Sequence, residues 1–158
     1  MSEIDDLIKF LSDRLDEDYE AARLVLGVNV MVGLKRGKPA PRWVPSPEAD
    51  GGIWDTDGTP RVKFVWARER DHILRHDPAR VLDEVDAGRA LVAAYAQACR
   101  KRTEVADEHW GAAGPSGDLS AVERWKDHDA AAETLRPHVL HRAAVYADHP
   151  AYREEWRP

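Results

Sequence analysis

The sequence predicts an α+β fold: an N-terminal helix, a small antiparallel sheet of two to four strands, then a long central helix and a kinked C-terminal helix. Three observations carry this. Ile4, Leu7, Ile8, Leu11, Leu15, Tyr19, Ala22 and Leu26 recur at three- and four-residue steps and draw one apolar stripe along a helix. Short β-branched and aromatic runs between Trp43 and Trp66 are punctuated by proline, glycine and an Asp-Gly pair, as strands and their turns are. From Pro78 onward, apolar and alanine positions return to helical spacing.

In the first helix Ser2 is placed to cap the N-terminus, and Glu3, Asp5 and Asp6 suit the positive end of the helix dipole. Its other face carries Asp13, Asp16, Glu17 and Asp18. Gly27 can end the helix. Val28–Val32 then reads as a strand from its β-branched content, with continuation of the helix as a buried last turn as the alternative. Lys35–Gly52 holds four prolines and three glycines, so it reads as loop or edge strand, with Arg42-Trp43-Val44 as its leading extended piece. Gly52-Ile53-Trp54 and Arg61–Trp66 flank a turn at Asp57-Gly58, a hairpin in which Val62, Phe64 and Trp66 share one face of the second strand and Arg61, Lys63 and Val65 the other, one face buried and one wet.

Glu69–Arg75 reads as two helical turns. Asp77-Pro78 then reads as an N-cap followed by proline at the first helical position, restarting the chain in a helix that runs to about Arg102. Alanines at 87, 90, 93, 94, 96 and 98 permit close helix packing. Trp110–Leu119 reads as a loop. A last helix starts near Asp118 or Ser120, with Ser120 and Glu123 spaced as a capping box, and Pro137 is expected to kink or break it. Asp148-His149-Pro150 restarts a final short turn in which Tyr152 and Trp156 fall on one face.

With 158 residues the chain is expected to form a single domain spanning 1–158. A net charge of −6 argues against a wholly basic, nucleic-acid-binding surface. One cysteine, Cys99, excludes an intramolecular disulfide and any Cys-pair zinc finger. The acidic N-terminus does not read as a signal peptide, and the apolar stretch Leu24–Leu34 is too short to span a bilayer, so the expected compartment is the cytoplasm. No serine sits in a Gly-x-Ser-x-Gly elbow, and no glycine-rich phosphate loop is present, so catalysis is a minority reading.

Two stretches, His72-Ile73-Leu74-Arg75-His76-Asp77-Pro78-Ala79-Arg80-Val81-Leu82 and the run from Tyr146 to Pro158, resemble a domain-of-unknown-function family of small proteins from actinobacteria and their phages. The resemblance brings no activity with it. Members of that family commonly hold cysteines between the central helix and the terminal motif, which look like zinc ligands. Here only His109, His128, His138 and His141 stand in that region, beside Cys99 within the helix.

Three sets of residues could carry function. His72 and His76, four apart, have the spacing by which two imidazoles on a helix share a zinc ion, given a third ligand from the fold. Lys35-Arg36-Gly37-Lys38 resembles the basic core of an AT-hook, in which a flat Arg-Gly-Lys strip lies in a narrow A·T-rich minor groove. Asp13, Glu17 and Asp18 on the first helix, with Tyr152 and Trp156 in the tail, offer an acidic surface and an aromatic one for a protein partner. Docking of those aromatics onto the domain is the simpler account of the tail. The expected function is that of a non-catalytic accessory or regulatory protein acting by protein interaction, in a phage or prophage setting. The alternatives are a histidine-ligated zinc protein and a weak, A·T-preferring DNA-contacting protein. The sequence leaves the oligomeric state open.

Overall fold

The computed structural model describes residues 2–110 and 118–158. Most of the loop expected between Trp110 and Leu119 lies outside the described residues. Among them are five α-helices, α1 (Glu3–Leu26), α2 (Val28–Lys35), α3 (Ala67–Arg75), α4 (Pro78–His109) and α5 (Leu119–Ala144). They are joined by three short strands, β1 (Trp43–Pro45), β2 (Ile53–Asp55) and β3 (Pro60–Val62), and a closing 3-10 turn at Glu154–Trp156. The α+β fold with its long central helix is therefore the one the sequence predicts. The chain forms two compact units, one of Met1–Leu15 with Ala87–Pro158 and the other of Asp16–Asp86.

In the first unit, Ser2 and Asp5 cap α1 reciprocally. The Asp5 N–H donates to Ser2 Oγ at 3.2 Å and the Ser2 N–H donates to Asp5 Oδ2 at 3.0 Å. Leu7, Leu11 and Leu15 of the predicted stripe are buried, and so is Phe10, which lies off it. The α4 helix meets α1 at Gly88, where a Cβ would come within 2.8 Å of the buried Leu15 side chain and force it to shift. Val92, Tyr95, Ala98, Cys99 and Val105 continue the buried face of α4. Arg102 is bound to Asp129 of α5 at 2.8 Å. The helix runs seven residues beyond its expected end at Arg102, so the cluster Arg100-Lys101-Arg102 lies within it rather than at its C-terminus.

The cap of α5 is Asp118, whose side chain accepts from the N–H groups of Ser120 and Ala121; Ser120 does not form the expected capping box. Of the two outcomes expected at Pro137, a kink or a break, the break does not occur: Pro137 lies within α5, which continues to Ala144. Burial of Ala132 before the proline and of Val139, Leu140 and Ala143 after it fixes both halves to the core, which offsets the lost backbone hydrogen bond.

In the second unit the strands form one antiparallel sheet in the order β1-β2-β3. Gly27 ends α1 with a positive φ of 84°, and the next segment is the helix α2, not a strand. No residue of α2 is buried, so it is not the buried helical turn either. Asp55 organises the hairpin. Its Oδ1 accepts from the N–H groups of Asp57 at 3.0 Å and Thr59 at 2.8 Å, and its Oδ2 accepts from Arg61 Nε at 2.8 Å. Burial raises the Asp55 carboxyl, but the Thr59 N–H, the Arg61 guanidinium and the Asp57 N–H together outweigh it and hold the group below its ordinary value. A carboxylate whose pKa is depressed on folding contributes stability that is complete above its unfolded value, near 3.8, and is lost as the pH falls through the lower folded one. Asp55→Asn is therefore expected to flatten the acid side of the stability curve below about pH 4, measured by urea midpoints across the pH range.

At the start of α4, Asp77 is fully buried, at 0% exposure. Its Oδ1 accepts from the Arg80 N–H at 2.8 Å, as the predicted N-cap does. Its Oδ2 accepts from Arg42 Nε at 2.7 Å and from the Trp43 N–H at 3.0 Å, which ties β1 to the base of the helix.

Candidate interaction surface

The second strand of the hairpin was expected to run to Trp66 and to bury Phe64 and Trp66 beside Val62. Instead β3 stops at Val62, because its partner β2 begins at Ile53 and leaves nothing further for it to pair with. Gly52 comes so close to the carbonyls of Val62 and Lys63 that a Cβ there would lie 3.0 and 3.1 Å from them. Beyond this point one backbone bond, from the Val65 N–H to the Gly51 carbonyl at 2.9 Å, holds the segment. The Phe64 ring covers Gly51, whose φ of +83° and lack of a side chain both favour glycine. Trp66 stands at the N-cap position of α3 in an extended conformation and makes no side-chain capping bond.

Phe64 and Trp66 therefore face outward, 57% and 72% exposed. Their rings meet edge to face with centroids 5.2 Å apart. Sequence reasoning missed this pair because alternation alone puts it on the buried face. The signal that pointed the other way was the glycine pair Gly51-Gly52, which shortens the opposing strand.

A second apolar exposure runs over the junction of α1 and α2. Leu24 is 72% exposed, Val25 46%, Val28 74% and Val32 43%. Asp16, Glu17, Asp18 and Glu20 precede this strip on α1, and Lys35, Arg36 and Lys38 follow it.

The expected site residues fall in several places. Asp13 and Glu17 are exposed on α1, Asp13 in an ion pair with Lys9 at 2.7 Å, and Asp18 is half-buried. Tyr152 and Trp156 are not on one helical face, since the chain around Tyr152 is irregular and only Glu154–Trp156 forms a 3-10 turn. Trp156 is 2% exposed. It packs against Phe10 at a centroid distance of 4.9 Å and against Tyr152 at 5.9 Å, so it docks the tail and presents no surface. Arg153 adds an ion pair to Asp6 at 2.9 Å, and the ring of His149 lies against the buried Arg14 guanidinium.

His72 and His76 are exposed, with ring centroids 4.6 Å apart, and His76 is the C-cap of α3. Among the described residues no group of three or more His, Cys, Asp or Glu side chains is placed to hold a metal ion. Lys35–Lys38 is a helix stop: the Gly37 N–H donates to the Leu34 carbonyl at 2.9 Å and the Lys38 N–H to the Gly33 carbonyl at 3.0 Å. Gly37 takes the positive φ of 79° that such a stop requires. The segment is thus curled back on its helix and does not present the flat, extended strip of an AT-hook. Among the described residues no helix is long and apolar enough to cross a membrane.

A model of the family of unknown function DUF6221 matches residues 4–158, nearly the whole chain. The chain belongs to the DUF6221 family. No curated protein and no solved structure matches it. The function of this DUF6221 protein has therefore to be argued from its own surface, where the Phe64–Trp66 pair is the most fully formed feature. The rings are large and mutually packed, and the Phe64 ring rests on Gly51.

Proposed function

We propose that this DUF6221 protein is a non-catalytic accessory or regulatory protein that works in the cytoplasm by binding another protein, with Phe64 and Trp66 at the centre of the contact. The observation that carries this is the outward-facing aromatic pair. Tryptophan dominates binding hot spots because it buries a large rigid area at little entropic cost. Here Phe64 already holds its neighbour in place, so little ordering is needed on binding. The acidic surface of Asp13, Glu17 and Asp18 on α1 would then speed encounter with a basic partner without supplying most of the affinity. The phage or prophage setting implied by the sequence resemblance makes a host or phage protein the natural partner.

The test is capture of a partner by the tagged protein from a lysate of its source cells, followed by affinity measurement with that partner purified. Trp66→Ala is expected to weaken binding by about 2 kcal/mol or more, roughly thirty-fold, while leaving the melting temperature unchanged. Glu154→Ala, in the exposed tail, is expected to leave binding as it is. Full affinity in a folded Trp66→Ala variant would refute the reading.

A further inference from the structure

From the chemistry of the α1–α2 junction we infer that this DUF6221 protein pairs with a second copy of itself through the stretch Asp16–Lys38, in a two-fold, antiparallel arrangement. This surface is made of other residues than the Phe64–Trp66 pair, and its occupant is a different one.

The starting observation is α2 itself. Its sequence, Val28-Asn29-Val30-Met31-Val32-Gly33-Leu34-Lys35, is mostly apolar, yet none of its residues is buried. Leu24 and Val25 at the end of α1 extend the exposed strip, and Val28 and Val32, four apart, continue it along one face of α2. Val30, Met31 and Leu34 are half-buried, while Val28 and Val32 stay exposed.

The flanking charges indicate what covers it. Four carboxylates, Asp16, Glu17, Asp18 and Glu20, precede the strip, Glu20 in an ion pair with Arg23 at 2.6 Å, and three cations, Lys35, Arg36 and Lys38, follow it. The order acidic, apolar, basic is self-complementary only when reversed. A two-fold axis through the apolar junction sets the acidic arm of each copy opposite the basic arm of the other, as an isologous interface requires. The spacing agrees: the carboxylates are centred about nine residues before Gly27, or about 14 Å at helical rise, and Lys35 and Arg36 at the end of α2 stand eight and nine residues after it. Because both arms are measured from the bend at Gly27, the match does not depend on the angle of the bend. An anionic membrane would meet the basic arm but repel the acidic one beside it, on a chain whose net charge is already −6.

The experiment is sedimentation equilibrium of the full chain over a range of concentrations and salt. Wild type is expected to dimerise at micromolar concentrations, and the dimer to weaken about ten-fold as sodium chloride rises from about 0.05 to 0.5 M. Two charge-reversed variants decide the geometry. One carries Lys35→Glu, Arg36→Glu and Lys38→Glu, the other Asp16→Lys, Glu17→Lys and Glu20→Lys. All six positions are exposed, and circular dichroism verifies that each variant keeps its helix content. Each variant alone is expected to be monomeric, and an equimolar mixture is expected to recover the dimer as a heterodimer. A wild type that stays monomeric throughout overturns the proposal. So does a dimer indifferent to both reversals, or a mixture of the folded variants that fails to pair, whether or not the wild type then binds anionic vesicles.

Discussion

Trp156→Ala is expected to destabilise the protein by about 3–5 kcal/mol, the usual loss for removing a buried indole. Trp156 is 2% exposed and is wedged between Phe10 of α1 and Tyr152, with the Arg153 guanidinium over its ring at 5.2 Å. Its removal opens a void between the tail and α1, and the Arg153–Asp6 ion pair loses the anchor that positions it. Against a typical total stability of about 5–15 kcal/mol this is a large fraction. Trp156→Phe is expected to cost only about 1–2 kcal/mol. Among the described residues the indole N–H has no hydrogen-bond partner, so phenylalanine loses ring area and no bond. Urea unfolding with an unchanged slope measures both. If the alanine variant unfolds at the wild-type midpoint, the tail is not docked on α1 as described, and Trp156 becomes available again as a contact residue.

Asp77→Ala is expected to cost about 2–4 kcal/mol, combining a lost N-cap with a buried backbone N–H left without an acceptor. The asparagine variant separates two accounts of this residue. An N-cap alone would tolerate Asp77→Asn, since asparagine caps helices as well as aspartate does. In the structure, Oδ2 accepts from both Arg42 Nε and the Trp43 N–H. An amide NH2 turned toward those donors cannot accept, and an amide flipped the other way loses the cap at Arg80. Asp77→Asn is therefore expected to lose more than half of what Asp77→Ala loses. A melting temperature for Asp77→Asn equal to the wild type would reduce Asp77 to a simple cap and remove the link between β1 and α4.

Local chemistry made much of this legible. Ser2, Gly27, Gly58 and Asp77 each act over three or four residues of chain, so their roles could be read before any fold was known. The same holds for the stripe of α1, whose period is a property of the helix. Where the reading failed, the deciding partner was distant in sequence. Val28–Val32 has the composition of a strand but no neighbouring strand to pair with, and Gly27 starts a helix there instead. Phe64 and Trp66 alternate correctly for a buried face, but β2 begins too late to extend the sheet under them.

For the candidate surfaces the contrast is sharper. Charge is a property of composition, so the acidic α1 and the basic Lys35–Lys38 stretch were visible in the sequence alone. Exposure of an apolar or aromatic side chain is not. Trp156 and Trp66 are the same residue type, yet one is buried and the other 72% exposed. The sequence by itself determined the order, the caps and the periodicity of the helices, because those depend on backbone hydrogen bonding and sterics within a few residues. Only the tertiary structure decided which aromatic closes the core and which faces outward. That choice depends on Phe10 being 146 positions before Trp156 in the chain yet beside it in space, and on Gly51 admitting the Phe64 ring where any larger residue would displace it.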